Sequence, residues 1–153
     1  MLKYLLPFAA SLCLATPALA DEFRAEVRGG VWWAQGVHKG TIGIAAGRDF
    51  NVAKLLFVGI EGSADKILTT GTKVSFGASG RAGANVTPWD KVYLAAGYST
   101  KPCDLCEGAA SIGAGWEHKI FLGLYGKVEY RHFIGRNGQA DANAGVAGVG
   151  LKF

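Results

Sequence analysis

The sequence predicts an all-β protein: an eight-stranded, antiparallel, up-and-down transmembrane β-barrel. Three observations lead there. Apolar and polar residues alternate with a period of two along nearly the whole chain after residue 20. Turn signals divide that pattern into eight runs, each long enough for the roughly 9–11 residues with which a tilted strand crosses a bilayer. The polar phase mixes ions of both signs with glycine and serine, while aromatic residues gather toward strand ends.

The first segment, MLKYLLPFAASLCLATPALA, stands apart from this pattern. It has a basic start at Lys3, an apolar run through Leu14 and a small-x-small end at Ala18-Leu19-Ala20. These are the parts of a secretory signal peptide, so residues 1–20 are expected to be removed before Asp21. Pro7 and Pro17 interrupt the run, which is short for a spanning helix. Cys13 follows Leu12 inside the apolar run and is read as part of the leader. The domain that remains is 21–153. Lys3 is the one charge lost, so the net charge of +4 falls to +3. No cluster of Lys and Arg with interleaved aromatics argues for nucleic acid, and no cofactor is expected.

The runs are taken in order. At 22–34, Phe23, Ala25, Val27, Val31 and Trp33 oppose Arg24, Glu26, Arg28, Gly30 and Trp32, because successive side chains of a strand point to opposite faces. Further strands are expected at 38–48 and 54–64. At 72–86, Val74, Phe76, Ala78, Gly80, Ala82, Ala84 and Val86 oppose Lys73, Ser75, Gly77, Ser79, Arg81, Gly83 and Asn85. Strands at 90–100 and 107–118 follow. At 121–134, Leu122, Leu124, Gly126, Val128 and Tyr130 oppose Gly123, Tyr125, Lys127, Glu129 and Arg131. The run 141–153 carries Ala147, Val149, Leu151 and Phe153 on one face and Val146, Gly148, Gly150 and Lys152 on the other. Asp49-Phe50-Asn51, Gly71, Pro88-Trp89-Asp90, Pro102 and Asn137-Gly138 mark connections.

Eight alternating strands fit a soluble barrel with its apolar face inside or a membrane barrel with that face on lipid. The polar face decides. Arg24, Glu26, Arg28, Glu61, Lys73, Arg81, Glu117, Lys127, Glu129 and Arg131 form the expected lumen ion network. They lie among glycines that would only weaken a strand on a solvent face. In the narrow interior of eight strands, glycines beside long ions are what packing requires. Trp32, Trp33, Trp89, Tyr98, Trp116, Tyr130 and Phe153 fit aromatic girdles. Unpaired strand edges are costly in lipid, so the last strand should pair with the first. Counting Lys91 and Lys152 as well, the expected interior holds eight cations against four acids. Any water path would then favour anions.

With EGSADK (61–66), YGKVEYRH (125–132) and AGVGLKF (147–153), the chain resembles the small bacterial outer-membrane barrels of the opacity-protein and outer-membrane-protein-A type. The resemblance implies residence in the bacterial outer membrane with both termini periplasmic. It implies outer-membrane lipid, lipopolysaccharide and the insertion machinery as partners, with Val149, Leu151 and Phe153 as the sorting signal. It places the connections 35–37, 65–71, 101–106 and 135–140 outside and 49–53, 87–89 and 119–120 in the periplasm. The outer connections are short for the family, which departs from its adhesive members.

Two constellations could carry chemistry. Cys103 and Cys106 form a C-x-x-C in an outer connection. A small loop disulfide suits an oxidising envelope. A metal site would need further ligands, for which His38, His132, Asp104 and Glu107 lie near in sequence or rim position. A redox pair would want a thioredoxin-like setting. The second is His132, which resembles the histidine of the His-x-Ser pair in outer-membrane lipid deacylases. Ile134 stands where the serine would be, so Ser99 or Thr100 would have to supply the hydroxyl from another strand. The expected function is therefore non-enzymatic: a filled barrel contributing to envelope structure or surface interaction. A narrow anion-favouring channel comes second and a lipid-modifying enzyme third.

Overall fold

The computed structural model describes residues 21–153; the expected leader and Cys13 lie outside the described residues. Eight strands follow in chain order: β1 (Glu22–Ala34), β2 (Val37–Asn51), β3 (Leu56–Ile67), β4 (Val74–Asn85), β5 (Asp90–Ser99), β6 (Ala109–Phe121), β7 (Leu124–Ile134) and β8 (Ala142–Lys152). Each pairs antiparallel with its chain neighbours, and β8 returns to β1, so the sheet is a closed barrel. At the seam Phe23 and Phe153 exchange two backbone hydrogen bonds of 3.0 Å, and their rings stack with centroids 6.4 Å apart.

One rim carries the two ends of the described residues, Asp21 and Phe153, and the connections 52–55, 86–89 and 122–123. The other carries 35–36, 68–73, 100–108 and 135–141. Gln35-Gly36 and Leu122-Gly123 join their strands with two residues of positive φ. That is the turn whose twist matches the strands it connects.

The alternation places charge inside and hydrocarbon outside. Arg24, Glu26, Arg28, Asp49, Glu61, Arg81, Glu117, Lys127, Glu129 and Arg131 are buried. Val27, Ile42, Ile44, Ile60, Phe76, Leu94, Ile112 and Val128 are exposed. A soluble protein with this polarity would present a far larger apolar patch to water than monomers carry, so the belt is built for lipid.

Long interior side chains face glycine across the ladder. Arg24 lies opposite Gly47, Arg28 opposite Gly43 and Gly148, Arg81 opposite Gly59, and Glu129 opposite Gly115. At Gly47 a methyl group would come 2.7 Å from Arg24 Nη2 and 2.5 Å from the carbonyl oxygen of Ile60. At Gly115 it would run into the ring of Tyr93. These inward glycines thus report a crowded interior, where a missing side chain makes room for its neighbour's length.

Candidate functional site

Inside the barrel, fourteen charged residues form one connected network. Its cations are Arg24, Arg28, Arg81, Lys91, Lys127, Arg131 and Lys152. Its acids are Glu22, Glu26, Asp49, Glu61, Asp65, Glu117 and Glu129. Glu61 of β3 is the hub. Its carboxylate lies 2.6 Å from Arg24 Nη1, 3.1 Å from Arg28 Nη1, and 3.7 Å from both Lys127 Nζ and Arg131 Nη2. Lys127 Nζ is 2.5 Å from Glu26 Oε1, and Arg131 Nη2 is 2.5 Å from Glu129 Oε1. Toward the terminal rim, Arg81 forks onto Asp49 and reaches Glu117 at 3.1 Å. Lys152 joins Glu117 to Glu22. Tyr93 donates to Glu129 at 2.7 Å and Tyr125 to Glu26 at 2.6 Å, so aromatic hydroxyls satisfy acceptors that the cations leave open.

Burying charges is costly unless each meets an opposite one in good geometry. Here the two signs are equal in number, seven and seven. This corrects the expected eight-to-four excess of cations. Lys73 leaves the lumen list: it precedes β4, its side chain is 62% exposed, and it pairs with Asp104 in the 100–108 loop. Asp49 and Asp65, assigned to connections by sequence, are instead inward residues of β2 and β3. Asp65 holds Arg28 through two hydrogen bonds, at 2.8 and 2.6 Å. The strands run further than their turn signals suggest because the hairpin ladder continues past them. Glu22, at the start of β1, adds the remaining acid. With the surplus gone, the argument for anion preference goes too.

Above this plug, at the loop rim, the interior opens into a cup of about 310 Å³. Arg28, Asp65, Glu129 and Arg131 form its floor. Trp32, Ile67, Phe133, Ala142, Ala144 and Val146 line its walls. Trp32, expected in the outer girdle, follows the inward phase of β1 and lies in the cup. Its neighbour Trp33 faces outward, 6.2 Å from the Tyr130 ring.

The 100–108 loop is tethered over the mouth from both sides. Lys73 N–H donates to the Pro102 carbonyl at 2.7 Å. Gln139 accepts from Glu107 N–H at 3.1 Å and donates to the Leu105 carbonyl at 3.2 Å. Cys103 and Cys106 are joined as a disulfide within this loop. The Asp104 carboxyl is held below its ordinary value by the adjacent Lys73. Among the described residues no group of His, Cys, Asp and Glu is arranged to hold a metal ion.

His132 faces outward on β7. Its Nδ1 lies 2.9 Å from Asn143 Oδ1, which also accepts from Tyr130 at 2.6 Å, and its Nε2 is 3.6 Å from Asp141. Ser99 lines the cup, and the Thr100 hydroxyl accepts from Phe76 N–H at 2.9 Å. Neither hydroxyl meets the imidazole, and Ile134 offers none. Val149 and Leu151 lie exposed on the outward face of β8, and Phe153 lies exposed just beyond its end.

No family model and no curated protein sequence matches the chain. Solved structures do. The outer-membrane enzyme PagL matches with a TM-score of 0.57 at 14% identity, over 84% of this chain and 98% of its own. Neisserial surface protein A matches at 0.55 and 16%, over 87% and 97%. The N-terminal barrel of Pseudomonas aeruginosa OprF matches at 0.55 and 17%, over 86% and 97%. The fold is that of the small outer-membrane β-barrels. At these identities the likeness carries architecture alone. An enzyme and a surface protein share the frame equally, so the role must be argued from the plug, the cup and the rims.

Proposed function

We propose that this protein is a non-enzymatic barrel of the bacterial outer membrane, its lumen closed by ion-paired side chains. It braces the envelope and presents its loop rim for surface interaction. The observation that carries this reading is the charge-matched network centred on Glu61, which spans the barrel from β1 through β3 to β7. The outward apolar belt supports residence in lipid, and the fold it shares with known barrels supports the outer membrane. Both termini are assigned to the periplasm, because no connection at the terminal rim exceeds four residues while three at the other rim have six or more, and outer-membrane barrels carry their shorter turns on the periplasmic side. The non-enzymatic reading rests on His132, whose imidazole meets an amide and a carboxylate but no hydroxyl to activate.

Planar-bilayer recording of the purified protein tests the plug. A closed lumen gives no steady conductance under an applied potential. Discrete, long-lived, ohmic steps scaling with salt would overturn it, and their reversal potential in a salt gradient would name the preferred ion.

A further inference from the structure

The cup at the loop rim is more than the space a plug leaves over. A barrel that needed only to be sealed could carry long side chains along its whole height. Instead, small residues surround the cavity: Ser75 on β4, Ser99 on β5, Ala109 on β6, and Ala142 and Ala144 on β8. Two aromatic side chains, Trp32 and Phe133, stand among them, and the tethered 100–108 loop contributes Pro102 and Cys106 to the mouth. About 310 Å³ lies at the small end of the size range of ligand pockets, with room for on the order of ten heavy atoms.

The floor defines the chemistry. Arg131 makes its short approaches to Glu129 and Glu61 through Nη2, and its Nε and Nη1 make no hydrogen bond among the described residues. Ser99, further up the wall, likewise has a hydroxyl that makes no hydrogen bond among the described residues. Donors are therefore available at two heights. At the floor net charge is not, because Arg28 is committed to Asp65 through two hydrogen bonds and Arg131 to its two glutamates; the other two charged lining residues, Glu107 and Arg136, are of opposite sign and lie exposed at the mouth. A charged guest would meet a floor whose charges are already matched, and would lose its hydration without gaining a counter-ion. An uncharged guest with an acceptor oxygen would complete Arg131, while Trp32, Ile67, Phe133 and Val146 cover its apolar body.

We infer that the cup is a binding site for a small uncharged amphipathic molecule: a compact aromatic or aliphatic body bearing a carbonyl-type acceptor, entering from the loop rim. The site does not depend on the proposed role of the barrel, and a sealed lumen and an empty cup are compatible.

The experiment is a titration of the isotope-labelled protein in lipid nanodiscs, followed by amide and indole NMR. The probes are benzamide and caprolactam as neutral carbonyl compounds, and benzoate and benzylamine as charged counterparts. Both neutral probes should give saturable shifts in the millimolar range. The shifts should be confined to the Trp32 indole and the amides of Ser99, Ala142 and Ala144, with lipid-facing Ala78 and Ala82 silent. The charged probes should bind about ten-fold more weakly or worse. Ser99→Leu combined with Ala144→Leu fills the cavity and should abolish the shifts while leaving the remaining spectrum in place. The inference is overturned by non-saturable shifts that track Ala78 and Ala82, by equal affinity for benzoate, or by neutral-probe shifts that persist in the filled variant. Loss of conductance closure bears on the plug alone, so the two readings fail separately.

Discussion

Toward the terminal rim, Arg24, Asp49, Arg81 and Glu117 fill the barrel with long side chains, none more than 4% exposed. Toward the loop rim, Ser75, Ser99, Ala142 and Ala144 leave it open. The backbone is the same closed eight-stranded ladder throughout, so strand number does not dictate whether the lumen is full. Side-chain length does, and Arg24, Arg28, Arg81 and Glu129 each have a glycine opposite that makes room for it. The plug is costly to disturb because its parts hold one another. The small residues of the cup's wall should tolerate change, because they carry none of the plug's ion pairs.

The largest effect should come from the hub. Glu61→Ala leaves Arg24, Arg28, Lys127 and Arg131 around an empty place. Breaking a buried charge cluster in this way typically costs about 3–5 kcal/mol. Urea unfolding of the refolded barrel, followed by tryptophan fluorescence, reads that loss. A change within a few tenths of wild type would mean that the interior is wet enough to screen the charges.

The outer face gives the next test. Val128 on β7 faces outward between the two rims. Val128→Lys should cost about 2–4 kcal/mol, the penalty for lysine at mid-bilayer, and Val128→Leu almost nothing. The same urea titration in lipid vesicles compares them. Equal stability of the Lys and Leu variants would invert the assignment of faces.

Enlargement at the two ends then sharpens the contrast. Gly47→Ala pushes a methyl group against a backbone carbonyl and Arg24. Overpacking of this kind costs about 1–3 kcal/mol. Ser99→Leu adds far more volume but puts it into the cup, so its cost should stay below about 1 kcal/mol. If both variants lose stability equally, the cavity is not free space, and the division of the lumen fails.

These comparisons also explain what could be read from sequence. Period-two alternation gave eight strands because a barrel between lipid and a polar lumen repeats one rule along every strand. The same rule held the clue to Asp49 and Asp65. Gly43, Ala45, Gly47 and Asp49 share one phase of β2, and Glu61, Ser63 and Asp65 share one phase of β3. Their turn-like character masked a continuing ladder. Lys73 was misplaced for the converse reason: its phase is right, but the strand begins at Val74. Phe57 and Tyr93 are buried inside, although an apolar-out rule puts aromatics on lipid, and Tyr125 is buried inside as its phase with Lys127 and Glu129 predicts. Tyr93 and Tyr125 sit there for their hydroxyls. Phe57 offers its ring to Arg81 and Lys91, at 5.3 and 5.0 Å. The cup had no sequence signal, because small residues mark both tight packing and empty space. Only the lengths of their cross-strand partners separate the two.

The smallest expected effect lies above the cup, in the tether between Lys73 and Asp104. Both side chains are exposed, so the pair positions the 100–108 loop without adding measurably to barrel stability. The Asp104 carboxyl is held below its ordinary value of 3.8 by Lys73. A carboxylate stabilised in the folded state contributes above its unfolded pKa, and the contribution fades as pH falls through the lower folded one. Between about pH 7 and 5 the loop should therefore not respond to acid, and it should loosen only below about pH 4. Amide shifts of residues 101–107 followed through an acid titration read this directly. Asp104→Asn should reproduce the low-pH spectrum of the loop at neutral pH while leaving the amides around Glu61 unmoved. The 102–73 backbone hydrogen bond and the Gln139 clasp should survive in that variant, which limits the change to a local one. Loop amides that already move near pH 6 would show that a group other than Asp104 governs the mouth.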